Sequence, residues 1–93
     1  MTYLITHFFE GGTQDQYDEI IAAVHPADGA LPPGQLHHFA GPTDGGFLVV
    51  ALWDTKESND AFQQTLGPVV AGLENGPPPP QERTAEVTNQ VST

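Results

Sequence analysis

Cysteine is absent from the 93 residues. That excludes a disulfide framework, a zinc ribbon and a thiolate nucleophile, and it is compatible with a reducing interior. Basic residues are nearly absent as well. Twelve acidic residues stand against Lys56 and Arg83 alone, for a formal net charge of -10. Such a chain repels phosphate backbones and anionic headgroups, so neither nucleic acid nor a membrane surface is an expected partner. No apolar window approaches the length of a membrane span, and residues 1–7 lack the basic start and apolar stretch of a signal segment. The expected location is cytoplasmic. Also missing are a glycine-rich nucleotide loop after a strand, a Gly-x-Ser-x-Gly elbow and a His-Glu-x-x-His helix. The expectation is therefore no cofactor and no metal.

What is present is a strand-length apolar run, Phe47 to Trp53. Successive strand residues point to opposite sides, so Phe47, Val49, Ala51 and Trp53 share one face and Leu48, Val50 and Leu52 share the other. Both faces are apolar, and each needs a cover. Alternation by itself leaves open which face lies beneath a helix.

The rest of the chain supplies the partners. Residues 2–9, rich in Tyr, Ile, Thr and Phe, read as a first strand closed by Glu10-Gly11-Gly12. Thr13 and Gln16 have the spacing of a capping box, and Tyr17, Ile20, Ile21 and Val24 form one apolar helix face ending at His25-Pro26. Residues 26–34 carry three prolines and two glycines and predict a loop. Gln35 to Ala40 reads as a second strand, joined to the apolar run by the turn Gly41 to Gly46, which makes an antiparallel hairpin. Asp54 with Glu57 offers a second capping pair. Apolar residues then follow at helical spacing to Leu73, and a kink or a new helix is expected at Gly67-Pro68. A proline-rich linker at 77–81 leads to a half-buried last strand over 82–91. The whole reads as a single domain, 1–93.

The order βαββαβ predicts an α+β, ferredoxin-like fold in which a four-stranded antiparallel sheet carries two helices on one face. The other face stays open. It is expected to hold one apolar side of the 47–53 run together with residues such as Tyr3, Ile5 and Phe9, a patch large enough to call for a second copy of the chain.

With these elements in place, the chain resembles the dimeric α+β barrel superfamily, which includes antibiotic-biosynthesis monooxygenases, haem-degrading enzymes and lactone isomerases. The resemblance rests on the first strand, Leu36 to Pro42, Gly45 to Asp54 and Glu57 to Phe62. It implies a homodimeric barrel with a small-molecule pocket between sheet and helices or within the barrel. It also implies a cofactor-independent monooxygenase or isomerase acting on an apolar or aromatic substrate, with a noncatalytic ligand-binding or accessory dimer as the alternative. The second helix lacks the Trp and following His of haem-degrading members, and the first strand carries His7 where no Asn occurs.

His38 and His7 are the candidate proton-transfer residues, because imidazole titrates near neutral pH. Adjacent strand residues diverge, so only one of His37 and His38 reaches a shared site. His38, in phase with Leu36 and Ala40, is the one expected to meet His7. Tyr3, Phe47 and Trp53 are the candidate ligand-binding residues. For each, ordinary packing or a hydrogen bond to the backbone is the competing role.

Overall fold

The structure, a computed structural model, describes residues 2–24, 31–72 and 80–91, without the side chains of Val24 and Val70. The elements are β1 (Tyr3–Glu10), α1 (Gln14–Val24), β2 (Gln35–Thr43), β3 (Gly46–Trp53), α2 (Lys56–Ala71) and β4 (Gln81–Glu86). The strands form one antiparallel sheet in the order β2-β3-β1-β4. This is the ferredoxin-like arrangement the element order predicts.

The capping box forms as the spacing requires. The Gln16 amide donates to Thr13 Oγ1 at 3.2 Å, and the Thr13 amide donates to Gln16 Oε1 at 3.1 Å. At α2 the cap lies one residue later than the Asp54 and Glu57 pair predicts. The Ser58 amide donates to Thr55 Oγ1 at 3.1 Å, while the Asp54 amide donates to the Gly34 carbonyl at 2.8 Å. That last bond ties Asp54 to the loop before β2 and takes it out of the capping position. Replacing Thr13 or Thr55 with alanine is expected to lower stability by about 1 kcal/mol each, read as a shifted urea midpoint. A change within a few tenths of a kcal/mol would show that the caps are dispensable.

α2 runs unbroken through Pro68, where the sequence predicts a kink or a fresh start. Gln64 and Pro68 are both exposed, so the carbonyl that loses its amide partner is open to water. β2 extends past Ala40 to Thr43 and includes Pro42, which an edge strand tolerates because one side of its ladder is unpaired. β4 is shorter than the predicted 82–91 strand, and all six of its residues are exposed. It is the opposite edge of the sheet, and its one apolar residue, Ala85, pairs with Leu4 on the face away from the helices. The helix end at His25-Pro26 and most of the 77–81 linker lie outside the described residues.

The sheet resolves the two-faced run. Phe47, Ala51 and Trp53 are buried with Tyr3, Ile5 and His7 on the side of α1 and α2. Tyr3, Ile5 and Phe9 therefore belong to the helix side, not to the open face as expected above. β1 pairs Ile5 with Ala51, Tyr3 with Trp53 and Phe9 with Phe47, so its odd-numbered residues share the face of Trp53. Leu4, Thr6 and Phe8 take the open face instead, beside Leu52, Val50 and Leu48.

Candidate functional site

The buried cluster of Tyr3, Ile5, Ala51 and Trp53, with Phe62 of α2 against it, closes one end of the space between sheet and helices. The Trp53 and Phe62 rings lie 5.3 Å apart and tilted by 41°. Beyond this plug the two layers separate. The cavity they leave holds about 70 Å³ of positions for a water's centre, several times the ~10–15 Å³ that one water requires by that measure. Its walls are mostly apolar, drawn from Ile20 and Ile21 of α1, Phe62 and Leu66 of α2, and Val49 and Ala51 of β3. Polar side chains in the lining include His7, Tyr17, Gln35 and His38.

Tyr17 sits on the apolar stripe of α1 and stacks on Phe47, with ring centres 5.0 Å apart and planes 28° apart. That stack aims its hydroxyl across the cavity at β2, where Oη lies 2.5 Å from His38 Nε2. Burial raises the Tyr17 pKa above the ordinary value of 10.0, and the neighbouring Asp18 carboxylate adds to the shift. The phenol is therefore protonated at neutral pH and can donate to Nε2. A neutral His38 that accepts on Nε2 carries its own proton on Nδ1. The raised pKa has a consequence for stability. Below pH 10 the folded and unfolded states both hold the phenol proton, and above it the unfolded chain releases the proton first. The contribution is thus intact below that pH and lost as pH rises through the folded value.

His7 approaches the same cavity from β1. Its Nε2 lies 3.3 Å from Glu82 Oε2 of β4, with the histidine side chain 10 % and the glutamate 52 % exposed. The imidazole is thus inside and its carboxylate partner at the rim. His7 and His38 occupy one face but do not pair as their sequence positions suggest. His7 stands opposite Val49 and His38 opposite Ala51, so β3 separates their strands by two ladder spacings, roughly 10 Å. His37 points the other way, stacked with Phe39 on the open face at 6.2 Å and 10°. Among the described residues no group of three His, Asp or Glu side chains is placed to hold a metal ion.

A bulge in β2 brings in a residue that alternation misplaces. Gln35 stands opposite Trp53 and His37 opposite Leu52, so Leu36 is the extra residue and drops out of phase with His38. Gln35 consequently shares the cavity face and is buried. Gly34 makes this possible. Its φ is +86°, and a Cβ there would come within 2.5 Å of Ser58 and 2.8 Å of Asp54 Oδ1, so the backbone lies hard against the start of α2. Of the candidate ligand-binding residues, Phe47 and Trp53 line the cavity. Tyr3 packs in the plug beside Trp53, outside the lining. Tyr17 and Gln35 are the polar groups that sequence reading passes over. The only signal for Tyr17 is a hydroxyl on an otherwise apolar helix stripe, and for Gln35 there is none short of the bulge.

Sheet order and paired helices together define a ferredoxin-like α+β fold. Solved structures of that kind superpose on nearly the whole chain. A candidate antibiotic biosynthesis monooxygenase from Chloroflexus aurantiacus matches with a TM-score of 0.67 and 17 % identity, over 99 % of this chain and 98 % of that one. SnoaB, a cofactor-independent oxygenase from Streptomyces nogalater, matches with a TM-score of 0.66 and 13 % identity, over 99 % and 97 % of the two chains. A dimeric ferredoxin-like protein of unknown function from Jannaschia sp. matches with a TM-score of 0.60 and 21 % identity, over 94 % and 100 %. At these identities the likeness is one of fold. No protein-family model matches the sequence, and no curated protein does.

Proposed function

We propose that this chain forms a homodimer that binds a small apolar or aromatic molecule in the cavity between sheet and helices. There His38, acting through Tyr17, moves a proton on the bound molecule, in a cofactor-independent monooxygenation or an isomerisation. The Tyr17–His38 contact carries this reading, because it joins a phenol and an imidazole in one hydrogen bond at the wall of an apolar cavity. On a substrate with an acidic C–H or O–H, the Tyr17 hydroxyl takes the proton as it passes its own to His38 Nε2, and the substrate is left as an electron-rich anion. The anion either reacts with oxygen or recovers the proton at another atom. The Tyr17 hydroxyl fixes the ring and steadies the charge that develops on it. His7, backed by Glu82, offers a second proton site on the far side of β3. Trp53 and Phe47 shape the cavity floor. The reading gains weight from the solved oxygenase of the same fold, SnoaB.

The dimer is proposed from the open face. Leu48 is 38 % exposed and Phe39 64 %, with Val50 and Leu52 half-buried beside them. Among the β-strand residues directed to that face, only Arg83 and the terminal Glu10 bear charge. Two copies of charge -10 can approach there with no carboxylate on the face but Glu10 at its end.

Anthrone, a three-ring ketone with an acidic methylene, tests the chemistry. Its oxidation by one O₂ yields anthraquinone and one water. The protein is expected to accelerate both this reaction and the exchange of the methylene protons with deuterium from solvent. His38→Ala and Tyr17→Phe are each expected to cut the rate by about 10²–10⁴-fold. Binding of anthrone without acceleration of either process would favour the noncatalytic ligand-binding dimer. Absence of binding, read from Trp53 fluorescence, would remove the cavity from both readings.

A further inference from the structure

Two buried polar atoms in the cavity lining have no role in the proton transfer. Gln35 Oε1 and Trp53 Nε1 each lack a hydrogen-bond partner among the described residues, and the two side chains are 7 % and 1 % exposed. They are also direct cross-strand neighbours, Gln35 opposite Trp53 at the bulged end of the β2–β3 ladder, and both face the cavity. An indole N–H only donates and an amide oxygen only accepts. Buried groups of this kind are nearly always satisfied, and because both atoms are closed to water, a ligand that fills both does so with a small turn of the two side chains toward it.

We propose that Gln35 and Trp53 form a recognition subsite for an aromatic lactam, whose C=O accepts from Trp53 Nε1 while the adjoining N–H donates to Gln35 Oε1. Three observations select this class. No Lys or Arg lines the cavity, so an anionic carboxylate would enter without a counter-charge. The walls are apolar and hold aromatic rings, which suits a flat conjugated body. A ring hydroxyl beside a carbonyl spends its proton on that carbonyl, whereas the N–H and C=O of a lactam both point outward along one edge. The inference rests on the cavity binding a small apolar molecule and refines which molecule it takes.

Three bicyclic probes of similar shape separate the contributions. 2-Quinolone offers the donor and the acceptor, coumarin keeps the acceptor but has oxygen in place of N–H, and naphthalene has neither. By isothermal titration, 2-quinolone is expected to bind about ten- to hundredfold more tightly than coumarin, and coumarin more tightly than naphthalene. Gln35→Leu and Gln35→Met are expected to abolish the preference for 2-quinolone over coumarin, and naphthalene binding by the same variants reads whether the cavity is retained. Trp53→Phe is expected to abolish the preference for coumarin over naphthalene. Equal binding of 2-quinolone and coumarin to the wild type, as when a buried water satisfies both atoms, would overturn the subsite and leave the cavity reading intact. So would a preference that survives in both folded Gln35 variants. If none of the three probes binds, the cavity reading and the subsite fall together.

Discussion

Replacing Trp53 with alanine is expected to lower the unfolding free energy by about 3–5 kcal/mol, measured by urea denaturation followed by circular dichroism at one fixed protein concentration. The indole is 1 % exposed and is among the largest fully buried side chains. It packs with Tyr3, Ile5 and Ala51, and Phe62 of α2 lies against it. Truncation would join the emptied space to the existing cavity and leave Phe62 without its ring partner, so the walls have little to collapse onto. A domain of this size has roughly 5–14 kcal/mol in total, so the loss is a large share of its stability. Trp53→Phe keeps a ring against Phe62 and removes a buried N–H without a partner, and is expected to cost only about 1 kcal/mol. A loss below about 1.5 kcal/mol for the alanine variant would mean that the plug beneath α2 is not the core.

The second large effect concerns assembly. Wild-type protein at micromolar concentration is expected to scatter light as a particle of twice 9.9 kDa, and Leu48→Asp combined with Phe39→Asp as one of 9.9 kDa. Both side chains lie on the open face, on neighbouring strands, with Val50 opposite Phe39 and Gly41 opposite Leu48. In the proposed dimer a carboxylate in the middle of the sheet-to-sheet contact loses its water without gaining a partner. Two per chain, repeated by the twofold axis, weaken association by at least about a thousandfold. Neither side chain lines the helix-side cavity, so anthrone binding is a control that the variant remains folded. A wild-type chain that is monomeric at micromolar concentration would remove the homodimer from the proposal.

The two predictions draw on opposite sides of one strand, and that strand shows how far a sequence reads. Alternation along 47–53 states that Trp53 and Leu48 face apart, and nothing local says which way is in. The answer depends on pairing with β1, where Tyr3 meets Trp53 and Ile5 meets Ala51, so the two largest odd-numbered sets bury each other beneath the helices. Grouping Tyr3, Ile5 and Phe9 with the open face fails for this reason. Caps show the same division. Thr13 and Gln16 bond each other across one turn, and local spacing suffices to find them. Asp54 is drawn from its expected cap by Gly34, a residue twenty positions earlier.

The amino-acid sequence by itself determined the order of six elements, the α1 capping box, the β2–β3 hairpin, the charge that disfavours polyanions and the presence of two apolar sheet faces. These are properties of short segments or of composition, where neighbouring residues set the physics. Tertiary structure alone decided which face the helices cover and how the polar groups meet in the cavity. Tyr17 reaches His38 because Phe47 holds its ring, and Gln35 comes opposite Trp53 because a bulge at Leu36 shifts β2 by one residue. Both contacts join distant segments, and a single-residue change in strand register would have turned either side chain to the other face.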